Sequence, residues 1–491
     1  MSSSNRVRVT LLEEVNLGET PVAVLASRIV QDLTYTSKLL GVLGNEISIA
    51  YIGGGTAGSE VVTVTGEAIE VEIESGVSTA AQIQSAIQGE PAADALVTVT
   101  ISGTGTNAQV SAGAVNLQGG TSFLTARFIN ESLSGSPGTT ESQQIRADRQ
   151  PSGQVVTSLE VGGELGIELA KEPVIDRLIA AAMLSEWSEQ SLQTVGLTID
   201  ATAKTITRAS GDWAATLDVG DFAQLGGFTA AANNIKVQLL EIVSPTVARF
   251  NFGGTPVDGT GVTTTYKRAD RVSIGTTKKS FSMEKAFLDL DQKAINYRGM
   301  LVNEMSLEIN YGEIINGSFT FNGTDYQPVE ASADFLTNGR HIVDPATSNS
   351  MNGSIDMPII SSELLGTLTE VEFCIQNISI GLNNNMTVQN CIGEIAPKDY
   401  SPGTAAVEVS LSTYLADDNW AALALKLSQQ PFAVSFLLNN LDGAYGFYMP
   451  AVQVTFDDPS SAGANQEVSL EMEGVARVGT QGESALFIYK F

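Results

Sequence analysis

A chain of 491 residues is too long for one hydrophobic core and implies roughly three or four domains. With 55 Asp and Glu against 26 Lys and Arg, its formal charge is −29, which excludes gripping nucleic acid by phosphate neutralisation, a mechanism that needs clustered cations. Two cysteines exclude a disulfide framework, and no stretch approaches the roughly 20 apolar residues of a membrane helix. The opening MSSSNRVRVT has no apolar run of signal-peptide length, so the expectation is a soluble protein made in the cytoplasm.

Gly, Val, Ile, Thr and Ser dominate the ordered-looking stretches and helical windows are few, so the fold class is mainly β. Residues 6–22 read as a strand and then a turn at Gly18 and Pro21, followed by a helical or extended segment to Leu40. From Leu39 to Ala126 there is no Lys or Arg, while acids accumulate, and this shift marks a separate unit. Strands are expected near Glu46–Tyr51, Val61–Val64, Ile69–Ile73 and Leu96–Ile101. A short helix over Thr79–Gln88 is capped by Ser78 or Thr79, with Ala80, Ile83 and Ile87 on one face. The unit reads as a small α+β domain. Its Gly53-Gly54-Gly55 run lacks the Lys and helix of a phosphate loop and reads as a plain loop.

Gln154–Leu159 and Glu164–Leu169 look like strands separated by Gly162-Gly163, with Glu160, Glu164 and Glu168 on polar positions. Pro173 opens the most helix-like window, PVIDRLIAAAMLSEWSEQ, whose Val174, Leu178, Ala181 and Leu184 stripe fits core packing. Residues 197–277 hold short β windows between turn signals, now with basic residues, and read as a small all-β barrel.

Val302–Gly323 is the clearest local unit. Met305, Leu307, Ile309 and Tyr311 alternate with Ser306, Glu308 and Asn310; Gly312 reverses the chain, and Ile315, Gly317, Phe319 and Phe321 resume the period of two up to an Asn322-Gly323 turn. This is a hairpin with one greasy and one wet face. Val302–Asn310 can be laid without gaps over Ile375–Asn383, and a partner strand recurs at Val407, Val409 and Leu411. Alternating strands often match by chance, so the match by itself leaves duplication and coincidence open. A helix near Asn419–Gln429, capped by Asp417 or Asp418, precedes strands at Phe432–Leu438, Phe447–Phe456, Glu467–Val478 and Leu486–Phe491.

Catalytic signatures are absent from the sequence. His341 is the lone histidine and lies in a turn-rich span with no nucleophile motif nearby. Cys374 and Cys391 read as buried free thiols, and with one histidine they do not make an ordinary zinc site. Asp289 with Asp291, and Asp457 with Asp458, could hold a cation weakly but do not resemble a calcium loop, and nothing singles out a pair of acids for glycoside hydrolysis. The residues favour a structural or binding role.

A resemblance sharpens this. Glu131-Ser-Leu133, Gly138-Thr-Thr-Glu-Ser142, Ile145-Arg-Ala-Asp-Arg149 and Gly162-Gly-Glu-Leu165 are similar to the first half of tail tube proteins of long, non-contractile-tailed (siphovirus-type) bacteriophages. So are Lys279–Glu284, Gly299–Asn303, Gly312–Phe319, Asn383-Asn-Asn385, Gly403 and Met449-Pro450. The similarity covers roughly 1–40, 119–196 and 274–491. It implies a first tube domain over 1–40, 119–196 and 274–340, a second over 341–491, and two inserted decorations, 41–118 (α+β) and 197–273 (all-β). The implied fold is a β-sandwich with a flanking helix whose inner sheets join into a ring, and the implied partners are further copies of the chain, as trimers acting as pseudo-hexamers, with tape measure and tail tip or terminator proteins. Genomic DNA passes through without specific binding. The implied place is the virion tail, assembled in the bacterial cytoplasm, and the resemblance implies no catalytic residue, cofactor or metal. Glu160, Glu304, Glu308 and Glu408 are the expected lumen-lining acids. The competing readings are a surface-binding protein for a receptor or sugar, with Trp213 and Tyr51 as its exposed aromatics, and a carbohydrate-active enzyme built on β-sandwiches.

Overall fold

The computed structural model describes residues 6–19, 24–39, 41–145, 147–148, 150, 153–290, 293–330, 342–343, 348–363, 368–370, 374–416, 420, 423, 429–455, 458–459, 467–479 and 482–491. The expected helix near Asn419–Gln429, together with His341, Asp291 and Asp457, lies wholly or mostly outside them. The protein is mainly β and forms two compact units.

The first unit comprises residues 1–126, 281–298 and 326–345. Its opening strand, Val7–Glu13, pairs antiparallel with 281–287 on one side and with Phe123–Ala126 on the other. Between them lies the expected α+β layer. Ser48–Gly53 and Ala68–Ile73 run parallel in a four-stranded sheet, which the intervening antiparallel strand Val61–Thr65 makes possible by reversing the chain. The helix Ala80–Gly89 starts at Thr79, which forms a reciprocal capping box with Gln82, and buries Ala80, Ile83 and Ile87. The core of this layer reaches back to Ala26, because Ser27–Val30 is a strand paired with Leu33–Ser37, which pairs in turn with Val97–Ile101. That lies upstream of residue 40, the boundary drawn from charge.

The second unit comprises residues 127–280, 299–325 and 346–491. Residues 197–266 close around one core under an eight-stranded antiparallel sheet. The ladder runs in order from Leu192–Thr194 to Gly259–Gly261 and is open at those ends, where a closed barrel was expected. Trp213 is fully buried at its centre, edge-on to Phe250.

Nine further strands of this unit make one continuous sheet. In chain order they are β1 (Ser134–Glu141), β2 (Gln154–Glu168), β3 (Lys293–Asn310, here from Gly299), β4 (Asn316–Gly323), β5 (Ile375–Asn383), β6 (Ala406–Tyr414), β7 (Phe432–Asn439), β8 (Ala444–Thr455) and β9 (Ser469–Ala476). Their spatial order is β1-β2-β4-β3-β5-β6-β9-β8, antiparallel throughout, with β7 continuing from β8. The helix Pro173–Ala182 follows β2, buries Val174, Leu178 and Ala181, and stops well before the end of its predicted window, with Leu184 beyond it at φ 49°.

Several expectations change here. Gly162-Gly163 does not separate two strands: β2 runs unbroken through both, and the glycines serve close backbone approach. A Cβ on Gly162 would meet the Phe321 oxygen at 2.5 Å, and one on Gly163, whose φ is 142°, would meet the Ser132 oxygen at 2.5 Å. Tyr311 is 77% exposed, since the strand ends at Asn310 and the turn carries its ring outward. Cys374 and Cys391 are free but exposed, not buried, because both fall in connections.

Val302–Asn310 and Ile375–Asn383, aligned in sequence, are antiparallel neighbours, with Leu307 opposite Ile380. Rotation about an axis running along a tube keeps strand direction, so these two strands are not rotational copies. A different repeat is present. Asn130↔Gly166, Ser134↔Gly162 and Thr140↔Val155 in the first hairpin reappear as Asn377↔Ser412, Gly381↔Glu408 and Thr387↔Ser401. The step is 247 on one strand and 246 on the other, and even the one-residue register shift after Gly138 recurs. The eight-pair ladder Val161↔Gly323 to Glu168↔Asn316 likewise recurs as Val407↔Ala476 to Tyr414↔Ser469. The four strands β1-β2-β4-β3 therefore repeat as β5-β6-β9-β8, in the same spatial order, chain order and direction.

Candidate functional site

Alternation assigns each strand of this sheet an apolar and a polar face. Val161, Leu165, Ile167, Met305, Leu307, Phe319, Phe321, Ile378, Ile380, Val407 and Met472 are buried on one side. The other side carries Glu164, Glu168, Asn316, Ser318, Thr320, Glu304, Ser306, Glu308, Asn377, Ser379, Glu408, Ser410, Glu471 and Glu473 in cross-strand rows. Glu308 lies between Asn316 and Ser379, and Glu408 between Gly381 and Val475.

The sequence-selected acids meet on this face. Glu308 and Glu408 are exposed, and Glu304 is half-buried with its Oε1 accepting from Asn383 Nδ2 at 2.7 Å. Glu160 is exposed one residue outside the β2–β4 ladder, on the same parity as Glu164. Burial, and next the nearby Glu160 carboxylate, push the Tyr400 phenol above its ordinary range. Serines bridge the strands in pairs, Ser306 with Ser318 at 2.8 Å and Ser379 with Ser410 at 2.7 Å. An open groove of about 590 Å³ runs over the second half of the sheet, and Glu308, Glu408 and Glu473 converge on it. Sequence reasoning did not select Glu471 and Glu473, although the alternation in SLEMEGVA was enough to find them.

None of the eight strands, counting β3 from Gly299, contains a Lys or Arg. The unit's cations lie elsewhere. Arg268 and Arg271 both reach Asp221, which is 1% exposed and also accepts from Tyr489 Oη at 2.8 Å, joining the inserted sheet to the C-terminal strand Phe487–Lys490. Among the described residues no cluster of three or more His, Cys, Asp or Glu is arranged to hold a metal. The two aromatics that the surface-binding reading names, Trp213 and Tyr51, are 0% and 2% exposed and form the cores of their layers. No helix among the described residues is long and apolar enough to cross a membrane.

The chain thus repeats one sheet unit within itself and keeps a cation-free acidic face across both copies. The chain belongs to the phage tail tube protein family, whose model matches residues 114–476. It is thus a structural protein of the virion tail, in a family that assembles into tubes with other tail proteins. Comparison with curated proteins returns no match.

Proposed function

We propose that three copies close into a ring in which six repeat units line one channel, and that rings stack into the tube through which the genome leaves the particle. The observation that carries this reading is the internal repeat. The second sheet repeat joins the first through the β3–β5 ladder, the kind of strand-to-strand junction by which one copy would join the next. Eight strands per chain give twenty-four per ring. At a spacing of about 4.8 Å and a tilt near 40°, such a barrel has a backbone diameter of roughly 45–50 Å, enough for a wet channel.

In this arrangement Glu160, Glu304, Glu308 and Glu408 face the channel with Glu164, Glu168, Glu471 and Glu473. A wall of carboxylates and hydroxyls repels phosphate and offers no cation to hold it, so DNA slides without salt-dependent adhesion. The decorations at 41–118 and 197–273 lie on the outside of the ring, and the tape measure and tail tip or terminator proteins meet the tube along its lumen and at its ends. Assembly takes place in the host cytoplasm. The test is Glu308→Lys with Glu408→Lys in the virion: tubes of normal length form while DNA ejection slows. Unchanged ejection at low salt would remove these acids from the channel.

A further inference from the structure

The hairpin that opens each sheet repeat runs on past the sheet as an arm. The first arm is Thr139–Glu141 against Gln154–Val156, and the second, in the same shifted register, is Thr387–Gln389 against Asp399–Ser401. They differ in what supports them. The second arm touches three strands of the first repeat in turn. At its base the Asn384 N–H donates to the Asn303 carbonyl of β3 at 2.8 Å, and the Met386 N–H to Asn303 Oδ1 at 3.0 Å. Further out, Tyr400 Oη donates to the Gly323 carbonyl at the end of β4 at 3.1 Å, and the Leu159 N–H of β2 donates to the Ile395 carbonyl in the arm's loop at 2.7 Å. Tyr400 is buried by this crossing. The first arm has no such support: every residue from Gln154 to Ser158 is exposed, Val155 at 64% and Val156 at 46%.

Register identifies the surface that the first arm lacks. Gln154 is the counterpart of Tyr400, since Thr140↔Val155 recurs as Thr387↔Ser401. Because Val161↔Gly323 recurs as Val407↔Ala476, Ala476 is the counterpart of Gly323, and Ala405, two residues before Val407, is that of Leu159. Ala405 and Ala476 lie on β6 and β9, towards the other end of the spatial order from β1, so the first arm does not reach them within its own chain. Among the described residues the Ala405 N–H, in the place of the Leu159 N–H, meets no acceptor. The contact at the base does not recur: Asn303 is a bulge residue without a counterpart in β8, and the residue in the place of Asn384 is Pro137, which has no N–H to give. The two outer contacts are the ones the repeat transfers.

We propose that the first arm crosses sideways onto the second repeat of the neighbouring copy in the same ring, where Gln154 lies against Ala476 and the loop around Asp148 accepts from the Ala405 N–H. This rests on the tube reading. The contact is heterologous, one surface against a different one, and such contacts close into a ring when their rotation divides a full turn. The junction between copies then reproduces the junction inside each chain, and every repeat in the ring is clasped by the arm of the next.

The test uses the full chain carrying a photoreactive benzophenone amino acid at one position, assembled, irradiated and mapped by mass spectrometry. At Gln154 the expected product is a covalent pair of chains, joined at the peptide that contains Ala476. At Tyr400, the matching position, the link stays within one chain, at the peptide that contains Gly323, and paired chains from it would count against the equivalence. A link from position 154 to its own chain or to another segment of the neighbour would overturn the proposal, as would the absence of paired chains in preparations that microscopy shows to be rings. Two exposed positions test which side of the arm is covered. Val156→Asp, on the side of Gln154, weakens ring formation about tenfold or more, whereas Val155→Asp, on the other side, leaves it unchanged. Both variants keep the thermal unfolding of the single chain, and equal ring formation by the two would contradict the crossing. A wild-type protein that forms no ring would contradict the tube reading itself, an outcome separate from a misplaced arm.

Discussion

Leu169 and Leu415 hold the same place in two copies of one architecture: the Leu169 N–H donates to the Ile315 carbonyl at 2.8 Å, and the Leu415 N–H to the Val468 carbonyl at 2.9 Å. Each bond lies one residue beyond an eight-pair ladder, at the point where β2 or β6 leaves the sheet. Conservation of such a contact within one chain, over a step of 246 residues, follows if both halves meet the same geometric demand.

Gly163 is where that demand is tightest. With φ at 142° and a prospective Cβ 2.5 Å from the Ser132 oxygen and 2.7 Å from Leu133 Cα, Gly163→Ala is expected to cost about 2–4 kcal/mol. Gly381, on the polar face of β5, has nothing within 4 Å of a Cβ, and Gly381→Ala should be neutral or stabilising by up to about 1 kcal/mol. Thermal unfolding of both variants checks the pair, and equal effects would count against a backbone role for Gly163.

Asp221 ties the inserted sheet to the C-terminal strand. Asp221→Ala leaves Arg268, Arg271 and the buried Tyr489 hydroxyl without their shared acceptor, for an expected loss of about 3–5 kcal/mol. Asp218, which meets the same arginines but is 68% exposed, should lose under about 1 kcal/mol on the same change. Denaturant titration distinguishes the two, and similar midpoints would show that the buried cluster is not what fastens the insert.

Alkali should weaken the α+β layer. Tyr35 and Tyr51 share a hydrogen bond at 2.7 Å in its core; burial pushes Tyr51 up to about 12 and Tyr35 well above its ordinary value. Groups whose folded values are raised contribute stability that is complete below the unfolded value near 10 and lost as pH climbs through the folded values. Unfolding temperature is therefore flat below pH 10 and falls from 10 to 12, and Tyr51→Phe makes that fall shallower. A fall of undiminished slope in the variant would rule out this pair as its cause.

The sequence made the alternating strands, the capped helix at Thr79 and the acidic face readable because each depends on local periodicity or on a side chain three residues away. The repeat was misaligned for a physical reason: two strands of period two match at many offsets, and what distinguishes true equivalence is hydrogen-bond register between distant segments. Trp213 and Tyr51 looked available because aromatic character alone does not say which layer covers a ring. Their burial comes from strands far off in sequence, such as Val247–Phe252 over Trp213.

The central claim is that two units in one chain make a six-fold channel from three copies. Electron cryomicroscopy of tubes assembled from the purified protein tests it most directly. Three chains per ring, twenty-four strands around the channel and Glu308 and Glu408 on its wall are predicted. Six chains per ring, or a channel wall formed by the opposite face of the sheet, would contradict it.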